Sequence, residues 1–208
     1  MIKFITFEGP DGSGKTTALE GLKKYLEKNI LNEEYIFTRE PGGKENPEAE
    51  KIRHIILDKE NNIDSKSEAL LYASARRLHL EQTVWPALQK NKIVFCDRYI
   101  DSSLAYQGSG RQLGIEWVKN INEIATDNTW PDLTILFDIP PKTAMKRADE
   151  RAPKDRLELA GENFHKRVYE GYKEVSKLFP KRIKIIDATQ SKEKVLEDVI
   201  KIILKAIK

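Results

Sequence analysis

Eight consecutive residues, Gly9-Pro10-Asp11-Gly12-Ser13-Gly14-Lys15-Thr16, constrain the fold of this chain more than any other stretch. They fit the pattern GxxxxGK followed by Ser or Thr, with an apolar run ending at Phe7 before them and a helix-spaced stretch beginning near Lys15 after them. Such a loop works where a buried strand hands over to a helix. Glycines let backbone N–H groups turn inward around phosphate oxygens, and the helix N-terminus aims its positive end at the same spot. Lys15 then reaches the β- and γ-phosphates, while the Thr16 hydroxyl is placed to ligate Mg²⁺. Gly9, Asp11, Gly12, Ser13, Gly14 and Thr17 complete the candidate ATP-binding loop. The motif implies a bound nucleoside triphosphate; by itself it does not separate a kinase from a switch or a motor.

The rest of the chain agrees with that start. Short β-branched or aromatic runs at Ile2 to Phe7, Tyr35 to Thr38, Ile93 to Cys96, Leu133 to Phe137 and Ile183 to Ile186 read as five buried strands. Helix-spaced stretches separate them, so the expected fold is α/β, a five-stranded parallel sheet with helices on both faces. The longest helical candidate runs from about Glu68 to Lys90, with Pro86 kinking it or marking its last turns. Glu40 to Glu48 and Arg147 to Gly161 read as loops, and loops carry function more often than helices do. At 208 residues the chain fits one domain. Its 36 Lys and Arg against 33 Asp and Glu leave a net charge of only +3, which argues against a nucleic-acid or membrane binder. One cysteine, Cys96, excludes an internal disulfide. The apolar start is cut off at Glu8, too soon for a signal peptide, and no run approaches membrane-spanning length, so a cytoplasmic protein is expected.

Other residues suggest the chemistry. Asp97 closes an apolar strand beside the phosphate-binding loop, where a carboxylate can hold or orient Mg²⁺. Arg98 follows, suited to grip an oxyanion bidentately; the alternative for this pair is a surface ion pair. Tyr72 and Arg76 are four apart on one helix face, a ring to stack on a base and a guanidinium to hydrogen-bond its carbonyl. Taken alone, that pair also fits core packing with a snorkelling arginine. Ser103 and Gln107 form another four-spaced pair beside Tyr106. His54, His79, His165 and Cys96 show no metal-ligand spacing and are read as structural.

Together with the loop, Thr38-Arg39-Glu40-Pro41-Gly42-Gly43, Asp97-Arg98-Tyr99 and Asp101-Ser102-Ser103-Leu104-Ala105-Tyr106-Gln107-Gly108 resemble the thymidylate kinases along nearly the whole chain. The resemblance implies a P-loop nucleoside monophosphate kinase fold and transfer of the γ-phosphoryl of ATP to dTMP, with Mg²⁺ as cofactor. It further implies that Ser103 and Gln107 face the thymine and that Tyr106 lies under the deoxyribose, where it would collide with a 2′-hydroxyl. Asp11 resembles the acid that accepts from the 3′-hydroxyl, and Arg53 a further ligand of the acceptor phosphate. Tyr72 stands where the family usually has Phe. The stretch of about 147–161 resembles a lid. Where some members carry a catalytic arginine in the loop, this chain has Gly12, so the lid's Arg147, Arg151 and Arg156 are the candidates. Arg151 is favoured, and Arg147 is the residue that would stack on adenine, next to Asp187-Ala188-Thr189. A two-fold homodimer is implied as well. A UMP/CMP or deoxynucleoside kinase is disfavoured by the hexapeptide and by Tyr106-Gln107. A switch or DNA-dependent ATPase is disfavoured because no NKxD follows and no acid comes directly after Asp97.

Overall fold

The computed structural model describes residues 2–29, 34–43, 45–149 and 155–207. Five parallel strands, β1 (Phe4–Glu8), β2 (Tyr35–Arg39), β3 (Ile93–Asp97), β4 (Leu133–Asp138) and β5 (Ile183–Asp187), lie in the order β2-β3-β1-β4-β5. Each strand ends one residue later than its apolar run, because the sheet takes in a polar residue at its carboxyl edge: Glu8, Arg39, Asp97, Asp138 or Asp187. Period-two alternation gives the sheet two buried faces. Ile5, Phe7, Phe95, Ile135 and Phe137 face α1 (Lys15–Asn29) and α9 (Lys192–Ala206), meeting Leu22, Leu26, Val199 and Ile203. Phe4, Val94, Cys96 and Leu136 face the other way, toward a core shared by the helices that build the cleft.

Those helices are α2 (Pro47–Leu57), α3 (Ser65–His79), α5 (Ile100–Ser103), α6 (Ile115–Thr126) and α8 (Glu162–Leu178). The region expected to be a loop from Glu40 to Glu48 is shorter than that. Asn46 caps the Ala49 N–H and Pro47 takes the first helical position, so α2 starts inside it. Asp64 caps α3 through Lys66 and Ser67. The helical path from Ser65 reaches Gln89 with a π-helical turn at Leu80–Val84 and then α4 (Trp85–Gln89). Pro86 thus marks the last turn of the path, as expected, and a widened turn precedes it, where a regular helix would set its ring against the carbonyl four residues back. A second π-helical stretch, Leu104–Gly110, continues α5 and carries Tyr106 and Gln107. Arg147 belongs to α7 (Pro141–Asp149) and not to a loop.

Candidate active site

Strand register assembles the site. Phe7 and Arg39 both pair with Asp97, the Glu40 N–H donates to the Asp97 carbonyl, and the Arg98 N–H donates to that of Phe7. The three sequence blocks thus become one row at the carboxyl edge of the sheet, with the phosphate-binding loop above β1. Within the loop, buried Lys15 donates to the carbonyls of Gly9 (2.8 Å) and Pro10 (3.2 Å). Burial, and then Arg98, hold its ammonium down at about 8. Gly12 has φ +80°, and a Cβ there would lie 2.1 Å from the carbonyl oxygen of Ala144 in α7. With α7 so placed, no side chain fits at this position, an arginine included.

Arg98 adopts a left-handed backbone, φ +68°, at the turn out of β3. Such a conformation is strained for a non-glycine residue and persists only when surroundings enforce it. The enforcement is dense: its guanidinium donates to Asp11 (2.6 Å), the Gly9 carbonyl (3.0 Å), Ser102 (3.2 Å) and Tyr172 (3.3 Å), and lies over the Tyr106 ring. Burial would raise the Asp11 carboxyl, but Arg98 and Lys15 outweigh it and hold the group at about 2. Tyr106 donates to the other Asp11 oxygen at 3.3 Å, so the two residues expected at the sugar are in contact. Beneath them, Glu8 is fully buried and accepts from the Tyr99 N–H, Ser102 and Tyr172. Burial, and then Asp101, push its carboxyl up to about 7.

Beside Arg98 opens a cleft. Asp11, Arg53, Tyr72, Arg76, Arg98, Ser103, Tyr106 and Gln107 all line it, bringing together every acceptor residue expected from the sequence. Arg76 is almost entirely buried; it pairs with Glu40 (2.6 Å) and donates to Ser103, Asn122 and the Tyr99 carbonyl. Glu40 in turn meets His79 Nδ1 at 3.0 Å, and the opposite ring nitrogen contacts Thr38. Arg53 donates to the Pro41 carbonyl, with burial, and then Arg39, lowering its pKa.

The opposite flank of the row differs. Thr16 is exposed, and it shares a second cavity with Thr38, Arg39 and Asp97. Asp97 Oδ1 is buried without a hydrogen-bond partner. Two of the three lid arginines are committed elsewhere: Arg147 donates to the Ala188 carbonyl, and Arg156 to the Ile56 carbonyl and to Glu68. Arg151 lies outside the described residues. Arg98 pairs with Asp11 and not with Asp97, which disposes of the simple surface pair. Among the described residues, no cluster of His, Cys, Asp and Glu could hold a metal by itself.

Several working residues escaped sequence reasoning: Glu8, Glu68, Asn122, Tyr172 and the Asp101–Arg182 pair. Asp101 accepts from both Arg182 terminal nitrogens and from Thr134, which meets Thr6. The available signals were Glu8, which immediately precedes the phosphate-binding loop, and Asp101, which opens one of the recognised blocks without a role of its own.

Sheet order, phosphate-binding loop and the cleft beside it define a P-loop protein of the nucleoside monophosphate kinase type. The thymidylate kinase family profile matches residues 7–199, and the chain belongs to that family. It is 54% identical over 201 residues to the thymidylate kinase of Finegoldia magna, covering 96% of this chain and 97% of that protein. It is 50% identical over 208 residues to that of Bacillus velezensis, covering 99% and 96%. The crystal structure of thymidylate kinase from Ehrlichia chaffeensis superposes with a TM-score of 0.79 at 33% identity, covering 97% of this chain and 98% of that one. No described helix is long and apolar enough to cross a membrane.

Proposed function

We propose that this chain transfers the γ-phosphoryl group of ATP to dTMP, giving dTDP and ADP in the synthesis of dTTP, with each flank of the site serving one substrate. The supporting observation is the single cleft that joins Tyr72, Arg76 and Gln107 to Asp11, Tyr106 and Arg98 beside the phosphate-binding loop. Thymine stacks on Tyr72 with Arg76, Ser103 and Gln107 at its edge. The deoxyribose lies over Tyr106 with its 3′-hydroxyl toward Asp11, and Arg98 and Arg53 take the phosphate. No covalent intermediate is needed, since phosphoryl transfer is positioning and charge neutralisation. Lys15 follows the negative charge as it moves toward ADP. Arg151 supplies the remaining positive charge from the lid, the role that Gly12 cannot take and for which Arg147 and Arg156 are already engaged.

Mg²⁺ fits the donor flank: Thr16 offers a hydroxyl, and Asp97 a buried carboxylate oxygen without a partner, both hard ligands facing one cavity. Held there by Thr16 and Asp97, it would supply positive charge against the triphosphate. Closure of the 147–161 lid excludes water, so that dTMP and not water receives the phosphoryl group. The enzyme works in the cytoplasm as a homodimer; Leu70 on α3 and Ile124 on α6 leave apolar side chains exposed on two such helices. The test is ADP formation across a panel of nucleoside monophosphates, with light scattering for the dimer. dTMP should be the preferred acceptor, and ADP release that is equally fast with none would overturn the reading.

A further inference from the structure

Glu68 is a fully buried carboxylate in the first turn of α3, outside the lining of the cleft. It accepts Gln107 Nε2 on Oε1 (2.9 Å), Arg156 Nη2 on Oε2 (2.7 Å), and Arg111 Nε on both oxygens (3.2 and 3.1 Å). Arg111 is in turn held over the Phe164 ring, and Arg156 is fixed by the carbonyls of Ile56 and Leu57 through its side chain and N–H respectively. A buried carboxylate with its counter-charges is a costly way to fill space; apolar residues of similar volume often do it at no loss of stability. What the carboxylate does that an apolar group cannot is dictate the direction of an amide. It offers Gln107 only acceptors, so the Gln107 NH₂ must point at it, and a flipped amide would set two oxygens against each other. The Gln107 carbonyl oxygen is thereby reserved for the cleft that this residue lines.

We infer that Glu68 is a positioning residue for base selection, which fixes Gln107 as an acceptor toward the base and so admits pyrimidines with an N–H at ring position 3 while rejecting those with a bare nitrogen there. The inference rests on the reading that Gln107 faces the thymine. Thymine presents that N–H; cytosine presents a lone pair, which would meet the Gln107 oxygen acceptor to acceptor. Sites that commit a buried group to one hydrogen-bond sense discriminate far better than shape alone. The two arginines hold Glu68 in place without touching the base.

The test measures kcat/KM for dTMP and dCMP with wild type, Glu68→Gln and Gln107→Leu. In Glu68→Gln the neighbouring amides can pair in either sense, so Gln107 is free to flip. The dTMP-to-dCMP ratio should fall at least ten-fold, chiefly through a higher KM for dTMP and a gain with dCMP, while kcat for dTMP changes less. A purely structural role would lower both substrates in proportion and leave the ratio unmoved, which would overturn the inference. Glu68→Asp, which keeps the charge for the arginines but withdraws it from Gln107, is read in the same assay, so the test survives if the glutamine variant does not fold. It should show the same change of ratio to a smaller extent. If Gln107→Leu leaves the KM for dTMP unchanged, the placement of the base is wrong and the inference falls with it. If Gln107→Leu raises that KM but neither Glu68 variant shifts the ratio, only the role of Glu68 is lost.

Discussion

On the acceptor flank, buried Arg76, Glu40 and Glu68 are each tied by two or more side-chain partners, and the ring nitrogens of His79 are both engaged. On the donor flank, Thr16 faces solvent, Lys15 turns back on its own loop carbonyls, and Asp97 keeps a buried oxygen without a partner. The difference matches what each flank has to do. A flank that must choose one base and one sugar needs fixed donors and acceptors, because discrimination comes from groups that cannot adapt. A flank that holds a triphosphate gains most from charges not already neutralised by the protein, since those acquire their counter-charge from the ligand.

The largest expected effect lies on the fixed flank. Arg76→Ala leaves Glu40 buried without its main counter-charge, and breaking such a pair costs about 3–5 kcal/mol. Urea unfolding should show that loss, and a midpoint equal to wild type would mean the acceptor network is not under the constraint described. Lys15→Ala reverses the pattern. Burial already disfavours the Lys15 charge, so folding should suffer little, while turnover drops by about 10² to 10³, the scale for one preorganised electrostatic group. A variant that keeps half of wild-type turnover would remove Lys15 from the transition state.

Glu8 lies under the Arg98 side of the row, held by Tyr99, Ser102 and Tyr172, and pH exposes it. Its folded pKa of about 7, against an ordinary 4.5, means that the folded protein keeps a proton the unfolded chain has released. Stability from this group is therefore complete below about pH 4.5 and lost as pH rises toward about 7, by about 3 kcal/mol in all. After burial, Asp101 raises its pKa further, while the Ser102 hydrogen bond and then Arg98 pull it back. Asp11 works in the opposite sense and in a lower window, losing its contribution only as pH falls through about 2. Glu8→Gln should remove the slope, so its urea midpoint relative to wild type should be higher at pH 8 than at pH 5. A constant difference would show that the buried carboxyl does not titrate in this range.

A smaller effect is expected at the base. Tyr72→Ala should raise the KM for dTMP by the worth of one stacking contact, about 1–3 kcal/mol, and Tyr72→Phe should be nearly silent because the ring does the stacking. Unchanged dTMP binding in a folded Tyr72→Ala would return the residue to the core, with which it also packs.

These contrasts show where the sequence could be read and where it could not. All five strands were legible from apolar runs, because a parallel sheet covered on both faces writes itself as continuous hydrophobic stretches. Their last residues were not, since Glu8 and Asp97 look like strand terminators until the fold surrounds them. Some acceptor residues were legible as motif positions, Tyr72 and Arg76 as a four-spaced pair on one helix face, and Arg53 through family resemblance alone. Their holders were not legible at all: Tyr172 meets Glu8 across 164 positions, and Arg156 meets Glu68 across 88, distances that no local periodicity encodes. Arg156 shows the consequence. By resemblance it belonged among the lid arginines, but the fold uses it to hold Glu68.

The smallest expected effect on the fold is the sharpest probe of the donor flank. Asp97 contributes a backbone carbonyl to Glu40 and a place in β3, and neither depends on its charge. Its Oδ1 is buried without a partner, and a buried carboxylate oxygen left unpaired costs the folded state. Asp97→Asn keeps the shape and removes the charge, so stability in the absence of nucleotide should stay level or rise by up to about 1 kcal/mol. The same change weakens the metal ligand, and the Mg²⁺ concentration giving half-maximal turnover should increase while the KM for dTMP stays near its wild-type value. The pairing of outcomes is what matters: a fold that tolerates the loss of a buried charge holds that charge for a ligand. If Asp97→Asn instead unfolds as early as Arg76→Ala, the carboxylate is part of the scaffold, and the donor flank is as fixed as the acceptor flank. If stability holds but the Mg²⁺ dependence does not move, the metal is carried by Thr16 and the phosphates without Asp97.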